Sequence, residues 1–444
     1  MKQIKEQKME LNIDSNKRVL IISSCCFSKS ESNGKVLESL FGAFQKNQIA
    51  QFYVRDDEPD WTFCDNYFRV TDKDIIKCLT SKSGGHLIKS NSSNGSQLSG
   101  GSVHSNTSGA NERKVKKDAF ILFLRNLAWK FSPWEKRTEF LSWLKDFDPD
   151  VIFVLVGENP FLLDLARKTA SLLKKKLVVY SSEAYYLKDY NYFVPSSMAG
   201  KIIYPLFHRI YKQSYKKLMK ETDSVLYICP KLMDDFQKIF QVKSAVLYPS
   251  STINIDVYDS NTSSGKLRIS YLGNLGLDRH KSIIEIGKAL QELTPSQSIE
   301  VFGGCPNLIK EELEKAPGVN YHGVVPFEQV VKEIEKSDIL VHVEGFNPFY
   351  VEDTKYGFST KIADSLMSGR CFFIYAPDTV ACYEYVHSFN PHCTASSFEE
   401  MKNKLNALIS NPEIRRKTAE NGKKVALVNH TPSGSSKLLL QTLR

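Results

Sequence analysis

A strand, a turn and the start of a helix follow one another directly in Leu267-Arg-Ile-Ser-Tyr-Leu-Gly-Asn-Leu-Gly-Leu-Asp-Arg-His-Lys281. The apolar run that ends at Leu272 predicts a buried strand. The two glycines after it allow a backbone to approach a ligand closely, and the free N–H groups of the following helix favour a phosphate. This succession is typical of one unit of a doubly wound parallel sheet.

The same alternation continues through the C-terminal half. We expect strands at Leu267–Leu272, Ile299–Phe302, Val319–Tyr321, Ile339–Val343, Cys371–Tyr375 and about 392–394. We expect helices at Lys281–Leu293, Leu308–Lys315, Phe327–Lys336, Ser359–Ser368, Val380–Phe389, Phe398–Ser410 and Pro412–Asn429. Regular alternation with short links predicts an α/β fold whose ligands bind at the carboxyl ends of parallel strands.

The N-terminal half shows a looser version of this pattern. Strands are predicted at Val19–Ser24, Gln51–Arg55, Val151–Val156, Leu177–Tyr180, Ser224–Cys229 and Ala245–Tyr248. Helices are predicted at Lys35–Gln45, Lys116–Lys130, Pro133–Lys145 and Pro160–Lys174, with a further helix that ends near Glu221. Because Val151–Val156 is apolar on both faces, it indicates a second parallel sheet that is covered on both sides.

Changes in composition mark the predicted domain boundaries. The N-terminal lobe spans residues 1–248 and contains an insertion rich in Ser, Gly and Asn at about 81–113, which we expect to be a flexible loop. Residues 249–265 are rich in turn formers and are predicted to be a linker. The C-terminal lobe follows at 266–429, and a tail occupies 430–444.

Bulk composition narrows the class of protein. The 444 residues carry a formal net charge of +9, which does not by itself indicate a nucleic-acid partner. We predict no nucleic-acid partner. Nine scattered cysteines without a C-x-x-C pair indicate reduced thiols in a cytosol. The polar start lacks the apolar core of a signal peptide, and no stretch approaches the roughly 20 apolar residues of a membrane-spanning helix. We predict a cytoplasmic location.

The loop after the first C-terminal strand offers one candidate ligand site. Gly273, Asn274 and Leu275 form its start, and Arg279 and Lys281 add positive charge where the next helix begins. A phosphate at this helix N-terminus is one interpretation. A tight turn with solvated basic residues is the other, because the glycine spacing alone is weak evidence.

Three more strand exits carry candidate residues. Gly303-Gly304 fits the approach of a ligand and a simple strand exit equally well. Glu344 is either an acceptor for sugar hydroxyls or a solvated carboxylate. Ser359 is a natural N-cap, and Lys361 in the first helical turn opposes the helix dipole, which indicates an anionic partner. Asp364 lies three residues further, so an internal salt pair is the alternative.

These residues resemble a known family. The runs GNLGLDRHKS, VNYHGVVP, SDILVHVE and STKIADSLMSGR are similar to family 4 glycosyltransferases of the GT-B fold, most of all to bacterial members that build surface polysaccharides. The resemblance implies two Rossmann-like domains that face each other across a cleft, with a tail that crosses back to the first domain. It also implies sugar transfer, usually with retention, from a nucleotide-diphosphate donor such as a UDP- or GDP-sugar.

The resemblance also implies site residues. By motif, the donor-binding set is Gly273, Asn274, Leu275, Arg279, Lys281, Gly303, Gly304, Ser359, Thr360, Lys361 and Asp364. Asn274 stands where many members have Arg, so Arg279 or Lys281 would carry the charge. Glu344 and Glu352 have the spacing of the family's paired carboxylates. Asp364 fits the second carboxylate better, because it opens a small-residue helix that ends before a glycine, and residues 347–358 are then an insertion.

The predicted catalytic residues are Glu344 and Glu183. Many family members have His after the strand equivalent to Leu177–Tyr180, and this chain has Glu183 there, which either faces the reaction centre or is a structural carboxylate. Asn33 and Gly34 are the predicted acceptor-side residues, since they follow the first strand. We predict no metal and no other cofactor, because no D-x-D or similar ligand pair accompanies these loops.

Three hypotheses follow for the function. The first is a glycosyltransferase that acts on a saccharide or lipid-linked saccharide. The second is a non-catalytic sugar-nucleotide-binding or scaffolding homologue. The third is a sugar-nucleotide epimerase, for which no acid/base set can be assigned. A nicotinamide-dependent oxidoreductase is disfavoured, because no G-x-G-x-x-G follows the first strand of either lobe.

Residues 200–220 combine aliphatic residues and tyrosines with six Lys and Arg residues, and they contain no acidic residue. A basic amphipathic helix suits an anionic membrane surface, which predicts peripheral attachment at the inner face of the cell membrane. The alternative is an ordinary surface helix that covers the N-terminal sheet. Charge reversal at Lys212, Lys216 and Lys217 would separate the two interpretations.

Overall fold

The computed structural model describes residues 17–28, 32–78, 85–88, 118–193, 196–257 and 266–443. These residues form two α/β lobes, each built on one largely parallel sheet. The predicted α/β class and two-lobed arrangement are confirmed.

The N-terminal lobe holds an eight-stranded sheet in the order β4-β3-β2-β1-β5-β6-β7-β8. Its strands are β1 Val19–Ile22, β2 Ile49–Tyr53, β3 Tyr67–Arg69, β4 His86–Ile88, β5 Val151–Leu155, β6 Lys176–Ser181, β7 Ser224–Tyr227 and β8 Ser244–Val246. Its helices are α1 Ser32–Phe41, α2 Asp72–Cys78, α3 Ala119–Phe131, α4 Thr138–Phe147, α5 Pro160–Leu173, α6 Met198–Glu221 and α7 Pro230–Gln237, with short 3-10 turns at Lys46–Gln48 and Pro133–Lys136.

The C-terminal lobe holds a six-stranded sheet in the order β11-β10-β9-β12-β13-β14. Its strands are β9 Ile269–Leu272, β10 Ile299–Phe302, β11 Val319–Gly323, β12 Ile339–Val343, β13 Cys371–Tyr375 and β14 Thr394–Ala395. Its helices are α8 Arg279–Leu293, α9 Asn307–Lys315, α10 Phe327–Lys336, α11 Pro348–Thr354, α12 Thr360–Met367, α13 Ala381–His387, α14 Phe398–Ser410 and α15 Pro412–Asn429, followed by α16 Pro432–Leu443, and a 3-10 turn covers Pro391–Cys393.

Central strands are buried on both faces, which explains their unbroken apolar sequences. In the N-terminal sheet β1 pairs in parallel with β2 and β5, with Val19 opposite Ile49 and Val151. In the C-terminal sheet Ile339 of β12 lies opposite Ile269 of β9. The carboxyl ends of β9, β10 and β12 therefore meet at one edge, where the candidate loops lie.

Four helices were missed in the sequence, and α2 at Asp72–Cys78 is the first of them. The other three are α7, α11 inside the expected insertion 347–358, and α16 in the tail. Near the N-terminus α1 begins at Ser32, so Asn33 and Gly34 lie in its first turn and not in a loop. Most of the insertion predicted at 81–113 lies outside the described residues, but 86–88 form β4, an antiparallel edge strand on β3.

The tail packs on the N-terminal lobe. Helix α16 contacts α1 and β6, and Ser436 Oγ donates a 3.4 Å hydrogen bond to the Leu40 carbonyl. Leu439 and Leu443 are fully buried in the core that contains β1 and β5. In the part of the chain that the structure describes, no helix is both long and apolar enough to cross a bilayer.

Candidate functional site

A cavity of about 410 Å³ opens at the carboxyl edge of the C-terminal sheet, and we call it the first cavity. Its floor comes from the ends of β9 and β10 and from β12, and α10 and α12 form its sides. One side chain of the N-terminal lobe, Lys35 of α1, reaches its wall. Among the predicted donor-binding residues, its lining includes Gly273, Asn274, Gly303, Gly304, Thr360, Lys361 and Asp364.

Glycines at two strand exits let the backbones at the bottom of this cavity approach each other closely. A Cβ atom on Gly303 would lie 1.7 Å from the Gly273 carbonyl oxygen, so the two strand exits touch through bare backbone. The Asn274 side chain accepts a 2.7 Å hydrogen bond from the Gly276 amide and thereby holds the turn. Close packing of the two loops therefore requires Gly303 whether or not a ligand binds.

The start of α12 forms one side of the first cavity. Ser359 is its N-cap, and its Oγ accepts a 3.3 Å hydrogen bond from the Lys361 amide. Burial and the nearby charges of Arg279 and Lys35 lower the pKa of Lys361. Among the described residues, neither Lys361 nor Lys35 forms an ion pair with a carboxylate. The helix N-terminus and these two amines, which act on the Asp364 carboxylate without forming an ion pair with it, therefore favour an anion in this cavity.

Lys35 was missed in the sequence. Its Nζ lies 4.7 Å from the centroid of the Phe327 ring, so α1 of one lobe meets α10 of the other at the first cavity. A signal was present: like Lys361, Lys35 is a cation in the first turn of a helix that follows a strand, where it opposes the helix dipole. The partner across the cleft could be found only from the tertiary structure.

Asp364 lies one turn into α12, and its carboxylate faces both the cavity and the linker. It accepts a 2.5 Å hydrogen bond from Ser251 Oγ. Burial raises its pKa, although the hydrogen bond from Ser251 and the charges of Lys35 and Lys361 act in the opposite direction. Asp364 therefore connects the linker to the cavity wall, and it does not form the ion pair with Lys361 that was one of the sequence interpretations.

Glu344 and Arg279 form a buried pair beside the first cavity. Arg279 Nε and Nη2 donate to the two carboxylate oxygens at 2.9 and 3.1 Å, and His342 Nε2 lies 3.2 Å from one of them. Burial alone would raise the pKa of Glu344, but the hydrogen bond from His342 and the charge of Arg279 outweigh it and lower that pKa. Glu344 lines neither cavity, and its catalytic role stays a prediction.

Like Arg279, the predicted donor-binding residues Leu275 and Lys281 do not line the first cavity. Leu275 is fully buried and packs in the core of the C-terminal lobe. Lys281 is exposed, and its Nζ lies 2.9 Å from Asp278 Oδ2. Between Leu275 and Lys281 the chain turns, with positive φ angles at Leu277 and Asp278.

A second cavity of about 150 Å³ lies between the lobes and shares Thr360 and Lys361 with the first. Its walls bring together the predicted residues Asn33, Glu183 and Ser359. Gly34 is not part of its lining; its backbone packs so tightly that a Cβ atom would lie 2.7 Å from Ser28. The two cavities therefore lie next to each other at the start of α12.

The insertion 347–358 forms the wall of the second cavity on the C-terminal side. Asp353 at the end of α11 forms an ion pair with Lys188 of the N-terminal lobe, and Tyr356 Oη donates to Asp235 Oδ2 at 2.7 Å. The rings of Tyr190 and Phe349 lie 5.6 Å apart. These contacts place Asp353 and Tyr356 in the wall of the second cavity, and neither was identified in the sequence.

One buried group has the composition of a metal site. Ligand atoms of His342, Glu344 and Cys382 lie within 4.8 Å of one another. Since the Glu344 carboxylate already pairs with Arg279, a cation there would meet the guanidinium charge at short range. We assign no metal to this cluster, and the side chains of the two cavities offer no better set among the described residues.

Comparison with known proteins identifies the fold and one family region. Residues 283–441 match a family described as glycosyl transferase-like, and no curated protein sequence matches the chain. Anabaena Alr3699/HepE in complex with UDP and glucose aligns with a TM-score of 0.60 and 10% identity over 96% of this chain and 99% of that one.

Two further solved structures agree in fold. Sucrose-phosphate synthase from Thermosynechococcus elongatus aligns with a TM-score of 0.57 and 10% identity over 96% of this chain and 98% of that one. The lipopolysaccharide outer core galactosyltransferase WaaB aligns with a TM-score of 0.54 and 13% identity over 96% and 99%, respectively. Together, these comparisons show that the chain has the GT-B fold of these structures and that its residues 283–441 are similar to a glycosyl transferase-like family.

Proposed function

We propose that the protein transfers a sugar from a nucleotide-diphosphate donor bound in the first cavity to an acceptor bound in the second. One observation carries this proposal. Two amines from opposite lobes, those of Lys35 and Lys361, face a single cavity at a helix N-terminus without forming an ion pair among the described residues. A diphosphate supplies the missing negative charge at this position.

The chemistry follows from where charge develops. The bond between the anomeric carbon and the phosphate oxygen breaks, and negative charge accumulates on the departing diphosphate. Lys35, Lys361 and the amides at the start of α12 are already oriented toward that charge, so they stabilise it without reorganisation. The acceptor hydroxyl forms the new bond to the anomeric carbon, and its proton passes to the leaving phosphate when the configuration is retained.

The acceptor is proposed to enter through the second cavity. Glu183 and Asp353 provide carboxylates on opposite walls, and Asn33 provides an amide. Such groups accept and donate hydrogen bonds to sugar hydroxyls. A saccharide or lipid-linked saccharide therefore fits this position, and cell-surface glycan or polysaccharide synthesis is the proposed pathway class.

The proposed donor is a uridine or guanosine diphosphate sugar. Solved structures of Anabaena HepE, which shares this fold, contain UDP and UDP-glucose. Calorimetric titration with UDP, GDP and their sugars tests the proposal, together with assays of donor hydrolysis. We expect Lys35→Ala and Lys361→Ala to weaken binding and Lys310→Ala, on the exposed face of α9, to leave it unchanged. Equal affinities for all four proteins would overturn the assignment of the first cavity.

A second function is favoured by the position of Glu344. Because this carboxylate is held by Arg279 and His342 outside both cavities, a non-catalytic sugar-nucleotide-binding homologue is the alternative. Donor binding without turnover over soluble and lipid-linked acceptors would support it. If the natural chain turns over the donor and Glu183→Gln abolishes this turnover but keeps the donor affinity, the result would support the glycosyltransferase.

A further inference from the structure

Helix α6 exposes an apolar stripe on its first half. Met198, Ile202 and Leu206 follow one another at intervals of four residues, and 75%, 75% and 46% of their surfaces are accessible. This spacing places the three side chains on one face. The opposite face is buried and includes Tyr204, Phe207 and Tyr211, so the stripe is not needed to hold the helix on the lobe.

Helix α3, which packs beside α6, also has exposed apolar side chains. Its Phe120, Ile121 and Leu124 are also exposed, at 39%, 45% and 47%. The two helices pack along each other and share a small core with Phe193 beneath their first turns.

Their N-termini are fixed together by a single carboxylate. Asp118 caps α3 and accepts a 2.8 Å hydrogen bond from the Ser197 amide at the start of α6. A Cβ atom on Gly200 would lie 2.3 Å from this carboxylate, so the helices approach as closely as glycine allows. The six exposed apolar side chains therefore belong to two helices that are rigidly joined at their N-termini.

Basic residues occupy the second half of the same α6 face. Arg209, Lys216, Lys217 and Lys220 are exposed, and within the described part of the chain none of them forms an ion pair. Lys212 differs, because its Nζ lies 2.7 Å from Asp189 Oδ1. Arg209 and Lys216 also line an open groove of about 600 Å³ beside the helix.

We infer that this α3–α6 surface, formed by the six apolar residues and the four basic residues named above, rests on an anionic lipid bilayer. Exposed apolar side chains next to uncompensated cations suit the boundary between acyl chains and negatively charged headgroups. A protein partner with only apolar character would leave the cations unmatched, and an acidic one would leave the apolar stripe in water.

The position of the surface is consistent with a lipid-linked acceptor. Residues 182–184 line the second cavity, and the same segment continues to α6, where the Tyr190 carbonyl accepts a hydrogen bond from Tyr204 Oη. His208 Nε2 lies 3.1 Å from the Tyr185 carbonyl. Residues 182–190 therefore line the proposed acceptor site at one end and pack against α6 further along. The bilayer contact itself does not depend on the proposed transferase activity.

Co-sedimentation with vesicles tests the inference on the full chain. Vesicles of phosphatidylcholine alone are compared with an equimolar mixture of phosphatidylcholine and phosphatidylglycerol at low salt. We expect binding to the mixture only. Lys216→Glu with Lys217→Glu removes two cations and should weaken binding by roughly fivefold or more for each, since a basic residue near an anionic surface contributes about that factor. Ile202→Ser with Leu206→Ser should also weaken it.

Matched controls come from α9 of the other lobe. Leu308 is as exposed as Ile202, so Leu308→Ser tests loss of an apolar side chain, and Lys310→Glu with Lys315→Glu tests charge alone. These should bind vesicles as the natural chain does. Thermal unfolding and UDP affinity should be unchanged in every α6 variant, which separates this inference from the donor site. Equal vesicle binding by all these proteins would overturn the inference. So would a dimer of the natural chain in sedimentation velocity that is lost in the variant with Ile202→Ser and Leu206→Ser, because the apolar stripe would then be a dimer interface.

Discussion

Two helices of the C-terminal lobe begin with cations near the same sheet edge, yet their electrostatic states are opposite. At α8, Arg279 is held by both oxygens of Glu344, and Lys281 pairs with Asp278. At α12, Lys361 has no ion-pair partner among the described residues, and its pKa is lowered by burial and by neighbouring cations. The difference shows that a cation at a helix start is available to a ligand only when no local carboxylate neutralises it.

The largest expected effect comes from breaking the neutralised pair. Arg279→Ala leaves the Glu344 carboxylate buried without its main counter-charge, and we expect a loss of about 3 kcal/mol in the free energy of unfolding. Urea denaturation measures this loss. Arg279→Met combined with Glu344→Leu should recover much of it, because no uncompensated charge remains. If Arg279→Ala alone were as stable as the natural chain, the pair of Arg279 and Glu344 would not be structural.

The next effect is on donor binding. Lys361→Ala should lower the affinity for a nucleotide diphosphate by about tenfold to a hundredfold, since a hydrogen bond to a charged group contributes about 1.5–3 kcal/mol. The free energy of unfolding should not fall, because the native amine is buried without an ion pair among the described residues. Titration calorimetry and urea denaturation together test this split. If Lys361→Ala lowered stability without changing the affinity, the start of α12 would be structural and would not bind the donor.

A pH dependence should accompany this binding. The diphosphate binds the protonated amine, so affinity is full below the lowered pKa of Lys361 and declines as pH rises through it. In Lys361→Arg the guanidinium stays protonated, and the decline should disappear. UDP titrations across the alkaline range compare the two proteins. Identical pH profiles would mean that another group controls the affinity.

The smallest effect is expected at the exposed pair. Lys281→Ala removes a cation that was predicted to bind donor but that lies beside Asp278 at the surface. Surface pairs contribute about 0.2–1 kcal/mol at most, so stability should change little and donor affinity should be unaffected. A loss of affinity comparable to that of Lys361→Ala would show that α8 swings toward the ligand when it binds.

The local pattern located most C-terminal elements well. Ile299–Phe302, Ile339–Val343 and Cys371–Tyr375 are strands with the predicted ends, because a buried parallel strand needs an unbroken apolar run between turn residues. The missed helix α11 did carry a local signal, since Asn347 caps it and Pro348 occupies its first position. The missed helix α16 carried a similar signal, since Thr431 Oγ1 accepts a 3.1 Å hydrogen bond from the Gly434 amide and Pro432 occupies its first position. Its Ser-Gly-Ser-Ser start has poor helix propensity, and packing on α1 stabilises it.

The candidate site shows where local information ends. Residue types and spacing identified the strand exits and the start of α12, since these depend on neighbours in the chain. They did not reveal that Glu344 neutralises Arg279, that Lys35 crosses from the other lobe or that Asp353 closes the second cavity, because each contact joins residues that are distant in sequence. Charge compensation depends on distances in space, so the availability of each cation follows only from the folded chain.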